Sequence, residues 1–338
     1  MTGFKSYFRS HLKSNIRILL YLTAITLVLT FVIGIGNGTE EIWDYKLKAY
    51  VTTYNSTIGV PVVFLCLLAY IVPVLEFSFF KKRNNLNCAY SMPVSRRCLG
   101  LAHYLTGAIT VILPFTLSYL LNFILILTRG VQYYNLAPMI PHYLLCLVLG
   151  LAMYSLMVFA FNEANTTGDG ILFMFLWTFV LFFATYASDY IVNLPWYFFI
   201  EPLPWGLIAK LTKNYRHFIE LTTVSDYLGP ENLLQAPEGV FLVVTWILIG
   251  IASGVGFFLT FGKRRMEKTE EISDSFFGYR VLIPYFALTG MIAFPYFAIF
   301  VVFEILALIG YTIYRRGFRY KLSDIIILLS LLIFSIFI

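Results

Sequence analysis

Glu76-Phe-Ser-Phe-Phe-Lys-Lys-Arg-Asn-Asn-Leu-Asn-Cys-Ala-Tyr-Ser-Met-Pro-Val-Ser-Arg-Arg97 separates two long apolar runs. Its basic side chains are Lys81, Lys82, Arg83, Arg96 and Arg97. Basic connections of this kind stay on the cytoplasmic side of a membrane and set the orientation of the spans around them. The segment is also longer and more patterned than a connection requires, which predicts contact with a partner.

Composition extends this reading to the whole chain. Of 338 residues, 59% are hydrophobic and 12% charged, against about 25% charged in an ordinary soluble domain. A soluble core of this size cannot bury so much apolar side chain, so most of it faces lipid or other spans. The 24 Tyr and 5 Trp suit interfacial belts. The net charge of +6 lies between apolar runs, so anionic lipid headgroups rather than nucleic acid are its expected counter-charge. Cys66, Cys88, Cys98 and Cys146 have no metal-like or framework spacing, and no disulfide is predicted.

Outward from the opening stretch, the sequence predicts an all-α polytopic membrane protein with 8–9 membrane segments and its N-terminus cytoplasmic. Residues 1–15 form an amphipathic interfacial helix, with Phe4, Phe8 and Leu12 at helical spacing beside Lys5, Arg9 and Lys13. A six-span core covers 16–261, with spans at about 16–35, 59–77, 99–127, 138–161, 171–192 and 239–261. Segments 39–58 and 193–238 read as external, and 262–280 as a second basic cytoplasmic segment. Residues 281–314 are too many for one upright span of ~20 residues. Arg280 precedes them and Arg315, Arg316, Arg319 and Lys321 follow, so both ends prefer the cytoplasm and a hairpin turning near Ala293-Phe-Pro295 is expected, followed by a last span at 322–338. Of the 24 Lys and Arg, only Lys46, Lys48, Arg129, Lys210, Lys213 and Arg216 fall in segments read as external.

Several chemistries are excluded by what the sequence lacks. A phosphate-binding G-x-x-x-x-G-K-[ST] loop fails at Gly262-Lys263, because Phe257 stands where the first glycine belongs and Arg264 follows the lysine. His11, His103, His142 and His217 form no H-E-x-x-H and are scattered. Gly250-Ile-Ala-Ser-Gly254 lacks the glycine two residues before Ser253 that a serine nucleophile motif needs, and reads as a close-packing surface. A polytopic membrane enzyme would need His, Asp or Ser clustered at one depth, and no such cluster is visible. A secondary transporter would need paired broken helices in two halves, and no second half mirrors the first. Within the spans, Glu304 is a functional candidate by default, and Asn122 is placed to bond across the third and fifth spans.

Glu76, the Lys81-Lys-Arg-Asn-Asn run and Ser91-Met-Pro-Val-Ser-Arg-Arg97 together resemble the cytoplasmic loop of ABC-2 type permeases, in which a carboxylate ends span two and a Leu-Pro-Ile/Val-x-Arg element opens span three. Phe261-Gly-Lys-Arg-Arg-Met-Glu267 looks like the exit of that family's sixth span, and the C-terminal hairpin is similar to longer Gram-positive members. The family often has Asp where Asn87 stands and Lys where His103 stands. The resemblance implies the permease subunit of an ATP-driven exporter in a bacterial plasma membrane. Its cargo would be amphipathic: a peptide, a lipid or a glycan-lipid. This chain would carry no cofactor, with ATP and Mg held by separate ATPase subunits, and it would pair with a second permease copy or a related chain. Asn84, Leu86, Asn87, Tyr90, Met92, Pro93, Arg96 and Arg97 would dock the ATPase, with a short helix over 84–90 stopped by Pro93. Asn162, Glu163 and Asp169 would supply a second cytoplasmic contact.

Overall fold

A computed structural model describes residues 2–36, 39–44, 49–54, 59–85, 91, 94–128, 139–192, 237–263, 269–273, 275–294, 296–318 and 320–337. Among them are nine helices of fifteen residues or more: α1 Thr2–Gly36, α2 Gly59–Phe77, α3 Arg96–Thr128, α4 Met139–Glu163, α5 Thr167–Val192, α6 Pro237–Phe261, α7 Tyr279–Ala293, α8 Phe297–Arg315 and α9 Leu322–Phe337. Seven are long and apolar enough to cross a membrane, while α7 and α9 are shorter apolar helices. The chain is a helical, multi-pass membrane protein. Segment 193–238, expected to be external, falls almost wholly outside the described residues. Cys66, Cys98 and Cys146 form no disulfide among the described residues.

Two features differ from the sequence reading. The amphipathic stretch 1–15 and the first span are one unbroken helix, α1. Between α1 and α2 the chain also makes an antiparallel hairpin of β1 (Thr39–Asp44) and β2 (Ala49–Tyr54), in register from Thr39↔Tyr54 to Asp44↔Ala49. Tyr50, Val51, Thr52, Thr53 and Tyr54 are aromatic or β-branched, which suits a pleated strand.

The helical part divides into two compact units. The first comprises Met1–Glu76, Pro93–Leu156 and Pro204–Phe258. Within it, α1 turns one face inward: His11, Leu19, Thr23, Thr26 and Thr30 recur at intervals of three or four or their multiples, with the last four buried. Each threonine hydroxyl donates to its own helix, Thr23 to Leu19 O, Thr26 to Thr23 O and Thr30 to Thr26 O, at 2.7–2.9 Å. The opposite face, with Leu20, Val28 and Val32, is exposed. Small polar side chains inside and large apolar ones outside invert the soluble pattern and suit lipid surroundings. Gly250 of α6 lies against Ala152 of α4, so close that a Cβ at Gly250 would fall 2.6 Å from the Ala152 Cα. The small residues of the sixth span allow close packing at Gly250, while Gly254 has no atom nearer than 3.8 Å to an added Cβ.

The second unit comprises Phe77–Met92, Met157–Leu203 and Leu259–Ile338. Its core gathers Phe173, Val180 and Phe183 of α5 with Leu282, Ile283 and Met291 of α7 and Phe303, Ala307 and Tyr311 of α8. Residues 281–314 are two helices with a break between Ala293 and Phe297. Gly290 packs on Phe303 near the break, and Gly310 packs on Ile283 farther from it, so α7 and α8 run antiparallel. The predicted hairpin is present. At its far end Arg315 donates from Nε and Nη2 to the two carboxylate oxygens of Asp324, both at 2.8 Å, tying α8 to the first turn of α9. A planar guanidinium meets a carboxylate two-pronged in this way, fixing geometry as well as charge.

Candidate functional site

Three helix ends in the first unit bring together side chains that are far apart in the sequence. Tyr7, His11 and Asn15 follow one another at intervals of four along α1, so they share a face. Glu76 closes α2, and His103 lies two turns into α3. The Glu76 carboxylate is the hub. Its Oε2 lies 2.9 Å from His11 Nε2 and 3.3 Å from His103 Nδ1, and its Oε1 accepts from Asn15 Nδ2 at 2.8 Å. His103 Nε2 is bonded to the Tyr7 hydroxyl at 3.0 Å. The imidazoles of His11 and His103 face each other with centroids 3.8 Å apart, and Tyr7 stacks on His11 at 5.9 Å.

Burial makes the arrangement consequential. Glu76 is 7% exposed and His103 4%. A buried carboxylate is tolerated when it is paired and hydrogen-bonded, and here every contact comes from a different turn or helix. His11, Glu76 and His103 present one ligand atom each within 4.8 Å of one another, a set able to hold a metal ion. The sequence reading of scattered histidines is corrected by this convergence. The helical approach of α1 to α2 and α3 supplies what spacing along the chain does not show. A usable signal was present in the interval of four that joins Tyr7, His11 and Asn15, a polar stripe distinct from the basic one.

Lys81 occupies a second polar position, in the other unit. It follows α2 in a single 3₁₀ turn, Ser78–Lys81, and is only 2% exposed. Its ammonium donates to the carbonyls of Phe161 at 2.7 Å and Asn162 at 3.3 Å, and also to that of Ala164, and lies 4.9 Å from the Phe161 ring centroid. These carbonyls end α4, where the helix leaves acceptors unsatisfied and carries partial negative charge. Lys81 is therefore an internal helix cap, not part of the exposed basic surface that the sequence suggests. Lys82 and Arg83 are exposed.

The predicted coupling residues divide. Leu86, Asn87, Tyr90, Met92 and Pro93 lie outside the described residues. Asn84, Arg96 and Arg97 are exposed. Ser95 begins α3: its Oγ accepts the Cys98 N–H at 3.3 Å and its carbonyl accepts the Leu99 N–H at 3.0 Å, an N-cap arrangement. The second predicted contact is turned inward. Asn162 donates to Thr260 Oγ1 at 3.0 Å, and the Glu163 carboxylate bonds Ser275 Oγ while its carbonyl accepts from Ser273 at 2.6 Å. Asp169 Oδ1 accepts the Tyr279 hydroxyl at 2.6 Å. These three side chains bind the end of α4 and the start of α5 to the last turn of α6, the segment after it and the start of α7. Tyr279→Phe is expected to lower stability by about 1.5 kcal/mol, the scale of a hydrogen bond to a charged group, read as a drop in thermal midpoint in detergent.

Asn122 is completely buried in the first unit. Glu304 is half-buried on α8, with Oε1 enclosed and without a hydrogen-bond partner among the described residues. The chain matches no protein-family model, and no curated protein is significantly similar to it.

Proposed function

We propose that the chain is the membrane-spanning permease subunit of an ATP-driven exporter in a bacterial plasma membrane, moving an amphipathic peptide, lipid or glycan-lipid with energy from separate ATPase subunits. One observation carries the reading. α3 opens with two adjacent exposed arginines and no acidic residue in its first turn. Positive charge at a helix N-terminus opposes the macrodipole and costs roughly 0.3–1 kcal/mol per side chain. Ser95 nevertheless caps the helix there and holds Arg96 and Arg97 at a fixed place on its first turn. An exposed pair of guanidinium groups on the first turn of a helix suits lipid phosphate or the acidic rim of a docking groove. The sequence has no G-x-x-x-x-G-K-[ST] loop, in keeping with a motor on a separate chain.

Copurification tests it. The full chain, expressed with its neighbouring reading frames, should carry an ATPase subunit through purification in detergent. Arg96→Glu combined with Arg97→Glu should weaken that association about tenfold or more, corresponding to at least ~1.4 kcal/mol of lost charge pairing. Purification of the chain with no nucleotide-binding partner and no ATPase activity under all conditions would sink the reading.

The convergence of His11, Glu76 and His103 favours a second reading, a polytopic membrane enzyme, because it supplies a cluster of ionisable groups at one depth. Its mark would be turnover of a membrane substrate by the chain alone, abolished by Glu76→Gln, with no ATPase required.

A further inference from the structure

We infer that His11, Glu76 and His103 form a binding site for a divalent metal ion of the zinc type, fastening the N-terminal part of α1 to the ends of α2 and α3. The donor set is two imidazole nitrogens and one carboxylate oxygen, a set zinc takes in three-ligand sites whose fourth position is left to water or a ligand. Around a tetrahedral ion with bonds of ~2.1 Å, ligand atoms sit roughly 3.4 Å apart. His103 Nδ1 and Glu76 Oε2 are 3.3 Å apart and His11 Nε2 and Glu76 Oε2 2.9 Å. All three donor atoms lie within 4.8 Å of one another, close to the spacing that an ion imposes.

Two of the three donors, His103 and Glu76, have behind them the groups a metal site requires. A ligating histidine uses its second nitrogen to bond an orienting group, which fixes the tautomer and the ring plane. His103 does so through Nε2 and the Tyr7 hydroxyl, leaving Nδ1 directed at Glu76. Asn15 donates to Glu76 Oε1 at 2.8 Å, which holds the carboxylate so that Oε2 faces both imidazoles. Asn15 Nδ2 also lies 3.2 Å from His11 Nε2. His11 Nε2 has one lone pair, so the ion takes the place of Asn15 at that nitrogen, and Asn15 keeps its bond to Glu76 Oε1. A cation lodged between His11 Nε2 and Glu76 Oε2 bonds both, where 2.9 Å now separates them. The donors come from three helices, so the ion joins elements that the chain itself separates by long segments. The site stands whether or not the chain pairs with an ATPase.

The test uses the full chain, purified in detergent with a histidine-free affinity tag, stripped with chelator and equilibrated with Zn2+ or Co2+. About one zinc per chain is expected after dialysis, together with the intense visible bands of four- or five-coordinate Co2+. Glu76→Gln and His11→Gln should abolish both signals. Tyr7→Phe, which keeps all three donors, should weaken zinc binding about tenfold to a hundredfold. A wild-type Co2+ spectrum identical to the solvated ion overturns the proposal, and this holds even if the ligand variants fail to fold. Zinc content unchanged in well-folded Glu76→Gln and His11→Gln overturns it equally.

Discussion

Lys81→Met should unfold at much lower temperature than the parent, with a loss of about 3–5 kcal/mol, the range for removing one partner of a buried charge contact. The methionine keeps most of the aliphatic stem, so the change isolates the ammonium. Without it the carbonyls of Phe161, Asn162 and Ala164 lose their common charged donor, and a hydrogen bond to a charged group contributes about 1.5–3 kcal/mol. The favourable meeting of a cation with a helix C-terminus is lost as well. Lys82→Met is the control. Lys82 is exposed, and surface changes away from such contacts usually stay within about 0.5 kcal/mol. Thermal unfolding of both variants in the same detergent makes the comparison. Equal midpoints would show that the contact between Lys81 and the end of α4 contributes nothing.

The second large effect is expected at Gly250. An added Cβ would lie 2.5 Å from the Ala152 Cβ and 2.6 Å from its Cα. The second of these neighbours is backbone, so no rotamer change relieves the clash and α4 and α6 must move apart. Overpacking commonly costs 1–3 kcal/mol, and Gly250→Leu should reach at least about 3 kcal/mol because the whole side chain must enter the same gap. Gly254 differs: its nearest neighbour is the Tyr104 hydroxyl, 3.8 Å from an added Cβ, so Gly254→Ala should be nearly neutral. A parent-like melting midpoint for Gly250→Leu would refute the close approach of the two helices.

How far the sequence revealed this architecture depended on the range of the signal. Long apolar runs are local, and the helices that cover the second to sixth predicted spans end within about four residues of the expected bounds, whereas the first helix begins at Thr2 rather than 16. The α7–α8 hairpin was legible because basic residues flank it on both sides. The β1–β2 hairpin was not, since residues 39–58 were judged by charge rather than by the β-branched and aromatic run at 50–54. Lys81 was grouped with Lys82 and Arg83 because three adjacent cations look alike in one dimension, although one is buried and two are exposed. His11, Glu76 and His103 stayed apart because 65 residues separate the first two, and only packing of α1 against its neighbours brings them together. Asn162, Glu163 and Asp169 were read as outward because a short polar turn usually faces water. Their hydroxyl partners Thr260, Ser275 and Tyr279 lie about a hundred residues downstream.

The three threonines of α1 bear on how the protein is made. α1 leaves the ribosome before α2 and α3 exist, so it spends time in the bilayer without the helices it will later touch. A polar stripe would normally make that wait unfavourable, because lipid offers no hydrogen-bond partner. Thr23, Thr26 and Thr30 are already satisfied by the carbonyls of Leu19, Thr23 and Thr26 in the same helix. The helix can therefore insert alone and be joined afterwards by its neighbours without exchanging a single hydroxyl bond.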